Sequence, residues 1–293
     1  MAVAVSAVDI TDEILAEYNE RGYWISPKLF DDDEIAELRH ELMRVMKGDF
    51  EYDCRPQWGP QHNPDSTDME QYVNGWWGNA RIRELIRHEV IADVASRLLG
   101  LDTIRLFHDQ LLYKPGLDNE EGFTGRAEAG PIEGNVGWHQ DYAHWTQIRS
   151  DAHCSAWIAL QDTDEVGGCM VFIPGSHRWG MIEDAAGFGD KDLKALREKH
   201  TSEAEREWAE EPCIIKAGHV SFHTGLVMHG SGPNYKKDPR LSIVLNMMAD
   251  GATYHKDGWP HPFAPLFGPY VKEGDPLSEP WFPVMGRNST VQI

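Results

Sequence analysis

Apolar positions in the first hundred residues recur with helical spacing. Between Asp31 and Lys47, Ile35, Leu38, Leu42 and Val45 fall at i, i+3, i+7 and i+10, the stripe of an amphipathic helix packed on a core. Thr11 to Gly22 opens on acidic residues and closes on glycine, the signals that start and stop a helix. Arg81 to Leu99 resumes the pattern in one piece or two, while residues 51 to 79, rich in Pro, Asn, Gly and Trp, read as irregular.

From Thr103 onward the texture changes to short β-like runs bounded by Gly, Pro, Asp or Asn: Thr103 to Tyr113, Ser155 to Gln161, Met170 to Ile173, Cys213 to Lys216, Val220 to His223 and Leu241 to Met247. Many short strands after a helical block predict a mainly β fold with flanking α-helices, an antiparallel double-sheet barrel. With no repeat and no linker, one domain over 1–293 is expected. It has a helical part at about 10–100, a barrel core at about 103–250 and an extension at 251–293. A Gly/Glu-rich loop, Leu117 to Val136, and a charged helical segment, Asp190 to Glu211, interrupt the strands and are expected to cover a site.

Composition narrows the classes. The 293 residues are 41% hydrophobic and 26% charged, ordinary globular usage, and no apolar run is long enough to span a membrane. Lys and Arg total 27 against 48 Asp and Glu, a net charge of −21, which disfavours nucleic acid and anionic membranes as partners. It does not forbid an anionic small molecule held by a local cation. Four cysteines without CxxC spacing, behind an opening that lacks a basic front, read as thiols in a reducing cytoplasm. Oligomeric state is not legible.

The informative chemistry is Trp138-His139-Gln140-Asp141, because residues i and i+2 of an extended segment share a face. His139 and Asp141 can offer an imidazole nitrogen and a carboxylate oxygen to one ion. A histidine from elsewhere would complete the two-histidine, one-carboxylate triad of non-haem Fe(II) oxygenases. HxD alone decides nothing, since a second copy stands at His255-Lys256-Asp257. The first copy gains from its company: His229 within Met228-His229-Gly230-Ser231-Gly232-Pro233-Asn234, and Arg240 at the head of an apolar run, whose planar fork suits a carboxylate. His219 and His223, four apart on a strand, stand too far from each other to share an ion and read as structural or pocket-lining. His177 reads as a turn residue.

These segments, with Ala156-Trp157-Ile158-Ala159-Leu160, Gly167-Gly168-Cys169-Met170 and Ile173-Pro174-Gly175-Ser176-His177, make the chain resemble the phytanoyl-CoA dioxygenase family of Fe(II)- and 2-oxoglutarate-dependent oxygenases over about residues 10 to 250. The resemblance implies a double-stranded β-helix, or jelly roll, and iron ligands His139, Asp141 and His229. It also implies that Arg240 holds the distal carboxylate of 2-oxoglutarate with help from Ser231, and that Lys114 and Trp157 line the co-substrate pocket. Tyr142, His144 and Trp145, and more weakly Gln110, Trp76 and Trp77, are candidates for substrate contact.

The implied reaction is hydroxylation of a C–H bond of a small or mid-sized metabolite, consuming O2 and releasing succinate and CO2. Related halogenases resemble this pattern with a small residue in the carboxylate position, so Asp141 argues for hydroxylation. Desaturation, epoxidation or ring closure use the same radical chemistry. The alternatives are a non-catalytic cupin-like binding module and a metal enzyme of this fold that does not use 2-oxoglutarate.

Overall fold

The computed structural model describes residues 8–53, 59, 62–123, 125, 131–182, 184–202, 206–257 and 269–287. Helix α1, Asp12–Arg21, is capped by the Thr11 hydroxyl and closes on Gly22 in the left-handed region at φ 84°. Helix α2, Asp32–Met46, begins with a reciprocal capping box between Asp31 and Glu34 and buries Ile35, Leu38, Leu42 and Val45. The third helical stretch is indeed divided, into α3 (Ala80–Leu85) and α4 (Glu89–Leu99), where the His88 ring caps the second piece.

The strands are β1 (Tyr23–Ile25), β2 (Glu70–Val73), β3 (Thr103–Lys114), β4 (Val136–His139), β5 (Ile148–Arg149), β6 (His153–Ala159), β7 (Met170–Phe172), β8 (Glu211–Pro212), β9 (Val220–Thr224), β10 (His229–Ser231), β11 (Arg240–Ala249), β12 (Thr253–Tyr254) and β13 (Val284–Arg287). The larger sheet runs β1-β9-β6-β11-β3-β13, with β2 also paired to β3; the smaller runs β4-β10-β7-β8. All pairings are antiparallel. Two such sheets face to face are the expected jelly roll.

Alternation along the strands separates two layers of core. Leu241, Ile243, Leu245 and Met247 of β11, with Cys154, Ala156 and Ile158 of β6, face the helices in the main cluster. The alternate residues Val244 and Trp157 face the smaller sheet, with Leu112, Met170 and Phe172. A bulge between Asn246 and Met247 shifts the register of β11 on β3, so that Asn246 pairs with His108 while Met247 pairs with Leu106.

Three expectations need correction. The stretch read as irregular holds strand β2 and a 3-10 turn at Gly75–Trp77; its alternation is too short to be seen without the β3 edge it pairs with. The run Cys213 to Lys216 is not one ladder, because its hydrogen bonds change partner from Met170 to Thr163. The segment beyond residue 251 does not merely extend the barrel: β13 pairs with the start of β3, and Phe282 is fully buried against Phe107.

Candidate metal and co-substrate site

The site lies between the sheets. His139 ends β4 and His229 begins β10, and the two are direct partners in that ladder with ring centroids 4.2 Å apart. Asp141 follows at the head of a 3-10 turn, Asp141–His144. Its Oδ1 lies 3.5 Å from His139 Nε2 and 3.7 Å from His229 Nε2, and the three donor atoms all sit within 4.8 Å of one another. Ligand bonds of about 2.1 Å are compatible with such spacings. Among the described residues this is the only such group; His255 of the second HxD pairs instead with Glu273.

The protons are arranged for a cation. Each imidazole places Nδ1 against a carbonyl, His139 on Gly137 O at 2.8 Å and His229 on Val227 O at 3.1 Å. A carbonyl only accepts, so the proton is on Nδ1 and the Nε2 lone pair is left for a metal. Burial, then the neighbouring His139, pushes His229 down to about 3, which keeps that ring neutral. Desolvation works against the Asp141 charge, but His229, His139 and His223 outweigh it and hold the carboxyl well below the usual carboxylate range.

Gln140, between His139 and Asp141, faces the other way and fixes the motif. Its amide donates to Gly180 O at 2.9 Å and Leu226 O at 2.7 Å, and its oxygen accepts from Ile182 N at 2.8 Å. Gly137 and Gly187 allow the Gly187–Gly189 turn to lie directly on β4. A Cβ on Gly137 would meet Gly187 O at 2.0 Å, and one on Gly187 would meet Trp138 O at 2.4 Å. That contact sets Phe188 over the His139 ring, edge to face at 5.1 Å.

Farther along the larger sheet, Arg240 and Lys114 are direct partners across β11 and β3, and both are buried. Lys114 Nζ donates to Ser231 Oγ at 2.7 Å. Arg240 donates to Gly168 O, stands 5.5 Å above the Trp157 ring and has a buried Nε without a partner among the described residues. Burial, then the Arg240 charge, holds Lys114 well below its ordinary value, and burial lowers Arg240 to about 10. A buried guanidinium and a buried amine without an ion pair among the described residues form a site for an anion, whose arrival would favour the charged amine.

One pocket joins the donor set to Arg240, lined by His139, Asp141, His229, Ser231, Arg240, Trp157 and Gln110 among the expected residues, whereas Lys114 is not in its lining and stands behind Ser231. Met69, Phe188 and His223 also line it. Met69 and Phe188 carried no signal in the sequence, since each is an apolar residue in a loop. His144 stands beside the pocket, its ring 5.8 Å from His139 and 6.1 Å from Phe188.

Other substrate candidates are corrected. The Tyr142 hydroxyl bonds Ile148 O and its ring lies on His153; Trp145, Trp76 and Trp77 belong to the main core. The charged helix α5, Leu193–Ser202, packs on the back of the smaller sheet through Leu193 and Leu196 rather than over the pocket. The start of the Gly/Glu-rich loop is tied to residues 234–236, and 124 and 126–130 lie outside the described residues. His219 bonds Ser26 O and His177 lies against Asn19 O, both structural.

The sequence profile of the family described as phytanoyl-CoA dioxygenase (PhyH) matches residues 18–242. The chain belongs to the phytanoyl-CoA dioxygenase family. Among similar curated proteins, the methylphosphonate hydroxylase of Gimesia maris is 26% identical over 253 residues, covering 83% of this chain and 83% of its own. An ectoine dioxygenase of Streptomyces avermitilis is 24% identical, covering 80% and 78%.

Among solved structures, the α-ketoglutarate-dependent carbocyclase SnoK from nogalamycin biosynthesis superposes with a TM-score of 0.70 at 23% identity, covering 94% and 96%. The epimerase SnoN, in complex with Fe3+, α-ketoglutarate and nogalamycin RO, gives 0.66 at 25% identity, covering 94% and 98%. This phytanoyl-CoA dioxygenase family member is therefore an Fe(II)- and 2-oxoglutarate-dependent dioxygenase. No described helix is long and apolar enough to cross a membrane.

Proposed function

We propose that the protein hydroxylates a C–H bond of a small or mid-sized metabolite, with His139, Asp141 and His229 as iron ligands and Arg240 as the anchor for the distal carboxylate of 2-oxoglutarate. The observation that carries this is one pocket with a convergent His-Asp-His donor set and, farther along it, buried Arg240, which has no carboxylate partner among the described residues. Iron bound there supplies the coupling of O2 activation to oxidative decarboxylation of 2-oxoglutarate, giving succinate and CO2.

The chain's own residues bind, orient and exclude water. Arg240 offers a planar fork to the distal carboxylate, and Lys114, fixed on Ser231, adds positive potential beside it. Trp157, Leu112, Met170 and Val244 wall the space between, where the low polarity strengthens both cations' hold on an anion. Gln110, Met69 and Phe188 border the remaining volume and are the residues we assign to substrate contact, with His144 beside them. A carboxylate rather than a small residue at position 141 supports hydroxylation over halide transfer. The buried thiols Cys154 and Cys213 agree with a reducing cytoplasm as its location.

The test is anaerobic addition of Fe(II) and then 2-oxoglutarate to the metal-free protein. Development of the weak visible metal-to-ligand charge-transfer band, followed by succinate release with a screened metabolite, is the expected result. A folded, iron-loaded protein that gives no band with 2-oxoglutarate would sink the co-substrate assignment.

A further inference from the structure

One unbroken row of polar residues crosses the inner face of the larger sheet at the level of the candidate metal site. His223 of β9, Ser155 of β6, Asn246 of β11 and His108 of β3 are successive register partners across four adjacent strands, and each is at most 2% exposed. The row ends on the candidate metal site. Ser155 Oγ lies 2.7 Å and His223 Nε2 3.3 Å from the same atom, Asp141 Oδ2, the carboxylate oxygen that faces away from His139 and His229.

Proton counting gives the row a direction. Ser155 Oγ has one proton and touches two groups, Asp141 Oδ2 and the Asn246 amide at 2.8 Å. A carboxylate can only accept, so the hydroxyl donates to Asp141 and must accept from Asn246. The oxygen and nitrogen of an amide exchange places by a half-turn and are told apart by their partners. Asn246 therefore presents its NH2 to Ser155 and its oxygen to His108 Nε2, 2.9 Å away. Burial pushes His108 down to about 3, so the ring is neutral with a single N–H. Satisfying the amide oxygen requires that proton on Nε2.

We propose that His108, Asn246 and Ser155 form a one-way hydrogen-bond relay that, with His223, clamps Asp141 Oδ2 and commits Asp141 to bind its metal through Oδ1 alone. All four are positioning residues. The clamp would keep the carboxylate charged and aimed, and would prevent it from taking a second coordination position needed by co-substrate. This rests on the reading of His139, Asp141 and His229 as ligands. Bonds of this kind behind a metal ligand change affinity by about 10- to 100-fold when removed.

The first experiment needs no variant. In the metal-free protein labelled with 15N-histidine, long-range 1H–15N correlations are expected to show His108 protonated at Nε2; a proton on Nδ1 would reverse the relay and overturn the proposal. The second is anaerobic titration with Co(II), whose visible bands report coordination. Ser155→Ala and Asn246→Asp, the latter nearly isosteric but without the NH2, are each expected to raise the Co(II) Kd about 10- to 100-fold and shift the bands. Ser242→Ala, on the same inner face of β11 but off the row, is the matched control and is expected to bind as wild type. Variants that bind Co(II) within about twofold of wild type would overturn the relay alone. A wild type that binds no Co(II) would overturn the metal reading, and the relay with it.

Discussion

Arg240 and Lys114 stand directly opposite each other in the β11–β3 ladder, two buried basic groups with no ion pair to either among the described residues. Removal of an uncompensated charge from a protein interior ordinarily relieves the fold, so a pair kept there is explained by an anion that arrives later. The partners that ordinarily accompany a buried arginine are replaced here by a backbone carbonyl and a tryptophan face.

Arg240→Ala is accordingly expected to weaken 2-oxoglutarate binding by about 10- to 100-fold, the scale of about 1.5–3 kcal/mol for hydrogen bonds to charged groups. Iron affinity should be unchanged. Titration of the charge-transfer band with 2-oxoglutarate at fixed Fe(II) separates the two quantities, and a loss of iron binding instead would place Arg240 in a structural role.

His229→Ala removes one of the three groups proposed to hold iron, whose donor atoms lie within 4.8 Å of one another. The variant should retain less than about a tenth of the iron held by wild type after dialysis, measured by atomic absorption. His255→Ala, in the second HxD, should retain all of it, because His255 is paired with surface Glu273.

Asp109 of β3 is buried on the side of the larger sheet that faces the main core, where it accepts from Gly75 N at 3.0 Å and Trp76 N at 3.2 Å. Burial dominates those two bonds and raises its carboxyl to about 7. The folded state thus holds a proton that the unfolded chain releases near pH about 4. Its stabilising contribution is fully present below that value and is lost as pH rises through about 7, at a slope of up to about 1.4 kcal/mol per pH unit. Asp109→Asn should flatten this part of the stability profile, read from urea midpoints between pH 4 and 8. Parallel profiles for wild type and variant would show that the carboxyl is ionised throughout.

Phe282 is fully buried and stacks on Phe107 at 6.3 Å. Phe282→Ala should cost about 3–5 kcal/mol of folding stability, which calorimetry would register as a large fall in Tm. A change below about 1 kcal/mol would mean that the C-terminal strand packs independently of the barrel.

Local spacing made several features legible. The stripe Ile35, Leu38, Leu42, Val45 needs only a helical period to be recognised, and His139 with Asp141 needs only the alternation of a strand. The start of β11 could be read from the apolar run after Arg240. Those features depend on neighbours within about ten residues.

What the tertiary structure decided are the relations between distant strands. Nothing local shows that His139 and His229 are ladder partners, that Lys114 faces Arg240, or that Trp145, four residues beyond the HxD motif's end, turns into the core. The row His223, Ser155, Asn246, His108 draws one residue from each of four strands, and its last step, Asn246 on His108, keeps the register that sets Arg240 on Lys114, the bulge in β11 falling only beyond it. Strand register is set by the packing of whole faces and by turns far from the residues it brings together, so a single sequence specifies the site's parts while the folded sheets determine which of them touch.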